Sequence, residues 1–145
     1  MTNATACPDR EILRLHEDWC AWYWSMLAAV ELPAAVGVLA AAGIEFGMWA
    51  VPETVRDLAP MAALLLLAFA SLIGWRITAT VRAVVRAFGL KPNERTLAAV
   101  LWPFAARGAD RSRPRALRCF ILFLVAIAGY LLAGALLLGR SLPAS

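Results

Sequence analysis

Two carboxylates inside an apolar run are the residues of this sequence best suited to ion chemistry. Glu31 and Glu45 both lie within residues 26–49, where almost every other side chain is apolar. An ionised carboxylate in hydrocarbon costs several kcal/mol unless it is paired, hydrated or neutral, so such acids are candidates for function. They are 14 residues apart, which on a helix means about 21 Å along the axis and about 40° around it. One face of this helix is therefore predicted to carry a carboxylate near each of its two ends.

The sequence also offers each acid a basic partner. If the next apolar run returns as an antiparallel helix, Arg76 comes level with Glu31, and Arg56 comes level with Glu45. We therefore predict an ion pair near each end of the helix, or hydrogen bonds from these acids to a partner subunit. The alternative is that the Glu31/Glu45 face lines a pathway for ions or protons.

The same run has features of a helix that packs against protein. Pro33 removes a backbone hydrogen bond and leaves a polar spot close to Glu31. Gly43 and Gly47 form a GxxxG spacing, which lets another helix approach the backbone closely. The last apolar run has a weaker small-residue surface, with Gly129 and Gly134.

A third set of side chains has the chemistry of metal or haem ligands. His16 and Cys20 are spaced i, i+4 on the apolar side of a predicted amphipathic N-terminal helix, and Cys119 begins the last apolar run. Imidazole and thiolate groups suit such ligation. However, the sequence has no CxxC pair and no second histidine, and it lacks the common nucleophile, phosphate and dinucleotide motifs. We predict packed side chains here, no cofactor and no enzyme activity.

The elements that position these residues are three apolar runs, at residues 26–49, 58–75 and 119–138. Each approaches or exceeds the ~18 residues needed to cross a bilayer. Hydrophobic residues make up 62% of the 145 and charged residues 17%, against roughly 25% charged in soluble domains. We predict an all-α membrane protein, with residues 1–145 forming one helical domain of three transmembrane helices.

The distribution of charge predicts the orientation. Residues 76–118 carry ten basic side chains and two acidic ones, so this loop and the N-terminus are expected in the cytoplasm and the C-terminus outside. The abundance of Ala, Arg and Leu suggests a bacterial inner membrane. A basic segment beside a span binds anionic lipid headgroups, and we favour this over nucleic-acid binding. The predicted headgroup ligands are Arg82, Arg86, Lys91, Arg107, Arg111, Arg113, Arg115 and Arg118.

Shorter helices are predicted beside the spans. An amphipathic helix should begin at Pro8, and the second span should continue past Trp75 until Gly89 caps it. Asn93 is expected to cap a helix over residues 94–106, which is too short to cross a bilayer. We expect this helix to lie on the membrane surface or to be re-entrant.

Three classes of function are compatible with these features. The first is a small accessory subunit that packs against, assembles or stabilises larger membrane partners in an inner-membrane complex. The alternative is a homo-oligomeric ion or proton channel, or a small transporter, that uses the Glu31/Glu45 face. The third is a membrane enzyme or redox subunit that holds a cofactor through His16, Cys20 or Cys119. The absence of catalytic motifs and the close-packing first span favour the first class.

Overall fold

A computed structural model describes residues 8–104 and 113–141 of the chain. Helices account for 87% of these residues and no strand occurs among them, which confirms the predicted all-helical class for the described part. Three helical stretches are long and apolar enough to cross a membrane. The elements are α1 (Pro8–Leu15), a π-helical turn (His16–Cys20), α2 (Ala21–Glu45), α3 (Glu53–Ala87), α4 (Glu94–Leu101) and α5 (Arg113–Ser141).

In the described part of the chain the N-terminal helix starts at Pro8 and leads into the first long helix, as predicted, but the π-helical turn between them was not predicted. The π-helical turn joins α1 to α2, so the helical stretch runs through to Glu45. A π turn closes hydrogen bonds from residue i to i+5 and is rare, often marking a functional position. Helix α2 also continues through Pro33, so the proline does not end the helix.

The two glycines of the GxxxG spacing lie close to the end of α2, Gly43 inside the helix and Gly47 just beyond it. Gly47 lies beyond the helix with a φ of +71°, and a Cβ atom there would meet nothing within 4 Å. Its amide donates to the Ile44 carbonyl at 3.0 Å, so Gly47 caps α2, and its predicted packing role stays a prediction. A Cβ atom at Gly43 would lie 3.1 Å from Cζ3 of Trp49, so Gly43 makes room for the Trp49 ring.

Helix α3 extends past Trp75 and ends at Ala87, and Gly89 caps it as predicted. Gly89 has a φ of +77°, which glycine adopts without steric cost. Its amide donates to the Arg86 carbonyl at 2.9 Å, and the Leu90 amide donates to the Val85 carbonyl at 3.2 Å. This pair of bonds is the Schellman pattern of helix ends.

Helix α4 begins as predicted and ends earlier than predicted. The Asn93 side chain accepts from the Thr96 amide at 2.9 Å, which satisfies one of the free donors of the first turn. The helix ends at Leu101, so its predicted range of 94–106 is wrong at the C-terminal end. The cause is Pro103, because the residue before a proline is disfavoured in helical conformation. Trp102 is accordingly extended, with φ −74° and ψ 117°.

The chain divides into two compact units, which are described here separately. We call Met1–Leu27 with Trp75–Ile121 the aromatic unit, and Ala28–Gly74 with Leu122–Ser145 the alanine unit. The core of the aromatic unit consists of large side chains from α1, α3 and α4. Its fully buried members are Leu15, Val81, Val85 and Val100, and Trp19, Trp22 and Tyr23 pack around them.

The alanine unit has a core of small side chains. Ala41, Ala42, Ala59, Ala63 and Ala133 are buried there together with Val38. Large apolar side chains of the same unit point outward instead: Leu65 is 68% exposed and Leu131 is 70% exposed. Its helices therefore approach one another through small residues and present leucines to their surroundings.

Candidate functional site

The end of α4 lies in the aromatic unit, where three side chains bind its last carbonyl groups. Such carbonyls have no partner within their own helix. The Nδ1–H of His16 donates to the Val100 carbonyl at 2.9 Å. The Leu101 carbonyl accepts from the Cys20 thiol at 3.4 Å and from the Trp24 indole N–H at 2.6 Å. The three donors are spaced by four residues, so the π turn and the start of α2 align them on α4.

This arrangement explains the His16/Cys20 spacing without a ligand. His16 is 3% exposed and Cys20 is 1% exposed, and each contributes a hydrogen bond to the cap of α4. The acceptor carbonyl requires the proton of His16 to be on Nδ1. Cys119 is a half-buried free thiol on α5. In the part of the chain that the structure describes, no three His, Cys, Asp or Glu residues are grouped to hold a metal ion.

Aromatic rings surround the described residues that follow α4, 102–104. Phe120 of α5 packs edge-to-face on Trp24, with ring centroids 4.7 Å apart. It also contacts Trp102 and Phe104, at centroid distances of 6.0 and 6.2 Å. Edge-to-face pairs contribute about 0.5–1.5 kcal/mol beyond simple burial. These rings therefore help to hold residues 102–104 against α2 and α5.

In the alanine unit, the carboxylate of Glu31 has a partner that the sequence analysis missed. The Tyr130 hydroxyl of α5 donates to Oε2 of Glu31 at 2.7 Å. The same hydroxyl lies 3.3 Å from the Glu31 carbonyl oxygen. Both residues are half-buried, and the exposed Pro33 lies one half-turn further along α2. The sequence did contain a signal for this contact, because Tyr130 lies within an apolar run and a buried hydroxyl usually finds a hydrogen-bond partner.

The two predicted ion pairs stay predictions. Arg76 is exposed in the aromatic unit, and Arg56 is exposed in the first turn of α3. The partner that the structure gives to Glu31 is Tyr130.

The second acid, Glu45, lines a cavity of about 350 Å³ in the alanine unit. Glu45 is the last residue of α2 and is half-buried. The remaining lining residues are apolar and come from α2, α3 and α5. Glu45 thus borders an apolar space that is lined by three helices.

The glycines show where helices approach closely in the alanine unit. A Cβ atom at Gly129 would lie 3.3 Å from Cδ1 of Leu39 and 3.5 Å from Cβ of Ala35, so α5 lies close to α2 at this glycine. At Gly134 a Cβ atom would meet nothing within 4 Å, so its predicted packing role stays a prediction. Gly37 was not predicted, although a Cβ atom there would lie 2.6 Å from Cδ1 of Leu66.

The predicted headgroup ligands are exposed wherever the structure describes their side chains. Arg107 and Arg111 lie outside the described residues, as does the side chain of Arg113. The exposed members are Arg82, Arg86, Lys91, Arg115 and Arg118. Exposure leaves these charges accessible to anionic groups.

Comparison with protein-family models, with curated proteins and with solved structures finds no match to this chain.

Proposed function

We propose that this protein is a small multi-pass subunit of a larger bacterial inner-membrane complex, in which it packs against and stabilises bigger membrane partners. The observation that carries the proposal is the packing of the alanine unit. Small residues are buried between its helices, and large apolar residues are exposed.

Such packing suits a hydrocarbon environment. Leu64, Leu65 and Leu131 are 66%, 68% and 70% exposed. In water, leaving such a side chain exposed forgoes about 1.5–3 kcal/mol of burial energy. In lipid the surroundings are as apolar as leucine itself, and helices associate through small residues that permit close packing. The exposed leucines are then available to lipid tails and to the helices of a partner.

The polar groups of the chain support a structural role rather than a chemical one. The Glu31 carboxylate accepts from Tyr130, and the side chains of His16, Cys20 and Trp24 cap α4. Within the described residues, no buried side-chain nitrogen or oxygen atom is left without a hydrogen-bond partner. These contacts use the unusual polar residues of the sequence to hold helices together.

The exposed basic residues support an orientation with the 76–118 segment in the cytoplasm. There they would bind anionic lipid headgroups, each contributing about 1 kcal/mol near the membrane surface. Binding of these basic side chains to lipid headgroups would fix the depth in the membrane of the helix ends that carry Arg86 and Arg118.

Purification in a mild detergent tests the accessory role. The tagged chain should co-purify at a fixed ratio with one or more larger membrane proteins, identified by native mass spectrometry. An equally tagged, unrelated multi-pass protein serves as the control for non-specific capture. Recovery of this chain alone from its native membrane would refute the proposal.

Labelling of single cysteines tests the orientation. Met48→Cys, at a residue that is 70% exposed, should react with a membrane-impermeant maleimide in intact cells. Ala87→Cys, at the end of α3, should react only after the cells are opened. The unmodified chain gives the background from its own cysteines. The opposite labelling pattern would invert the proposed topology.

The position of Glu45 at the cavity favours one second candidate function, a homo-oligomeric ion or proton channel. Three helices are too few to enclose a pathway, so this function requires several copies of the chain. Glu45→Gln should then reduce proton or cation flux into liposomes while the oligomer stays intact. Unchanged flux would remove this candidate.

A further inference from the structure

We propose that the apolar cavity of the alanine unit holds one hydrocarbon chain of a bilayer lipid. The cavity is formed entirely by residues of this chain, so the site rests on the proposed membrane location and not on the accessory role. Hydrocarbon is the ligand class that its walls, its direction and its entrance all favour.

The walls of the cavity disfavour water and polar ligands. Among the described residues that line it, all except Glu45 are apolar, and Glu45 is engaged in a contact of its own. A buried water needs about two to four polar partners, and apolar cavities of about 150 Å³ stay dry and take up apolar guests. This cavity has a volume of about 350 Å³, so leaving it empty would forfeit van der Waals contacts of its wall atoms. A hydrocarbon guest restores these contacts.

The cavity follows the direction of the long helices. Its lining residues lie between positions 38 and 45 on α2 and between positions 60 and 67 on α3. Each of these stretches covers two turns, or about 10 Å along the axis, and the alanines within them, Ala41, Ala42 and Ala63, leave the space open. Lipid chains lie on average along the membrane normal, and spanning helices are tilted from it by only about 20°. A slot along the helices therefore matches the direction of a lipid chain.

The cavity opens toward the surroundings of the alanine unit. Pro60, Leu64 and Leu137 line it and are exposed, the two leucines at 66% and 41%. In a membrane these side chains face lipid, so a lipid chain can pass between them without unfolding of the protein. Its inner neighbours are then Ala41 and Ala63, which are only 8% and 9% exposed. Lipid that merely surrounds the protein does not reach these two alanines.

Photochemical labelling of the full chain in phosphatidylcholine liposomes tests the site. The probe is a phosphatidylcholine that carries a diazirine within one acyl chain, and peptide mass spectrometry locates the labelled residues after irradiation. We expect adducts at Ala41 and Ala63 as well as at Leu65, which is 68% exposed and lies outside the cavity lining. Leu65 therefore serves as the internal reference for lipid that surrounds the protein.

The first pair of variants fills the cavity from α3. Ala63→Leu places a larger side chain in the wall, so the labelling of Ala41 relative to that of Leu65 should fall severalfold. Ala62→Leu places the same side chain at the adjacent exposed position and should leave this ratio unchanged.

The second pair of variants acts at the entrance and leaves the inner wall intact. Leu137→Trp should obstruct the entrance and lower the same labelling ratio. Leu131→Trp, at a residue of the same helix that is 70% exposed, should not. Circular dichroism and gel filtration establish that each variant is folded before it is labelled. Because Leu137 is exposed, this pair is informative even if Ala63→Leu fails to fold.

Labelling of Leu65 without labelling of Ala41 or Ala63 would overturn the proposal. Lipid would then only surround the protein, and another group, such as a side chain of a partner helix, would fill the cavity. Labelling of Ala41 that persists in both Ala63→Leu and Leu137→Trp would also overturn it. Absence of labelling at all three residues would contradict the membrane location, and the lipid site with it.

Discussion

The aromatic unit and the alanine unit draw on the same three long helices but are packed in different ways. The aromatic unit buries large side chains such as Leu15 and Val85, and it satisfies the carbonyls of α4 with hydrogen bonds from side chains. The alanine unit buries alanines, exposes leucines and joins α2 to α5 through the Glu31–Tyr130 hydrogen bond.

This difference in packing implies that the two units need different surroundings to be stable. A core of large residues with satisfied polar groups is stable in contact with water, because the burial of apolar area drives its formation. A thin core of small residues gains less from burial, so its stability depends on close van der Waals contact and on apolar surroundings. The following substitutions separate these two modes of packing, in order of decreasing expected effect.

In the aromatic unit, His16→Ala should have the largest effect. It removes a buried ring and leaves the Val100 carbonyl without its partner, so we expect a loss of about 3 kcal/mol in the free energy of unfolding. The measurement is a titration with sodium dodecyl sulfate in maltoside micelles, followed by circular dichroism. Arg14→Ala, at an exposed position of α1, is the control. A loss no greater than that of the control would show that the cap of α4 is not important for stability.

In the alanine unit, adding volume should be harmful. Ala133 is 0% exposed, so Ala133→Leu forces its neighbours apart and should cost about 2 kcal/mol. Ala135→Leu, at an exposed position on the same helix, should change the free energy of unfolding little. The same detergent titration measures both. If the two variants are equally stable, the close packing of this unit is refuted.

The hydrogen bond between α2 and α5 should have a smaller effect. Tyr130→Phe removes the donor to Glu31 and should cost about 1 kcal/mol, since hydrogen bonds between membrane helices are worth roughly 0.6–1.7 kcal/mol. Tyr23→Phe is a matched control, because the Tyr23 hydroxyl lies 3.4 Å from Oγ1 of Thr78, a longer contact. Combining Tyr130→Phe with Glu31→Gln should give a loss below the sum of the single losses, and additive losses would deny the coupling.

The predicted ion pair of Glu31 with Arg76 should give the smallest effect. A pair near an interface contributes about 0.2–1 kcal/mol, so Glu31→Gln with Arg76→Gln should cost less than the sum of the separate changes by that amount. Glu31→Gln with Arg82→Gln is the control and should be additive. Additivity in both combinations would exclude the Arg76 pair.

The parts of the fold that were predictable depend on local chemistry. Pro8 starts a helix, Gly89 ends one and Asn93 caps one, because each residue acts on the backbone within a few positions of itself. The same local rule also applies to Gly47, which was predicted to pack. A glycine in a GxxxG spacing and a glycine that caps a helix look alike in sequence, and only the backbone φ separates them.

The parts that were not predictable depend on contacts between distant residues. No residue near His16 indicates a π turn. The turn aligns the His16 and Cys20 side chains with two backbone carbonyl groups that lie more than 80 positions away in the sequence. The partner of Glu31 was missed for the same reason, because Tyr130 is 99 residues along the chain. The spacing of His16 and Cys20 was recognised, but their hydrogen bonds to the Val100 and Leu101 carbonyls could not be predicted from it.

The cap of α4 also has a consequence for synthesis of the protein on the ribosome. The donors His16, Cys20 and Trp24 precede their acceptors by 84, 81 and 77 residues. At translation rates of about 5–20 residues per second, those acceptors emerge roughly 4–17 s after the donors. During that interval the nascent N-terminal helix must keep a histidine, a thiol and an indole satisfied by water, lipid headgroups or an insertion factor. The cap of α4 is therefore complete only after Leu101 has been synthesised.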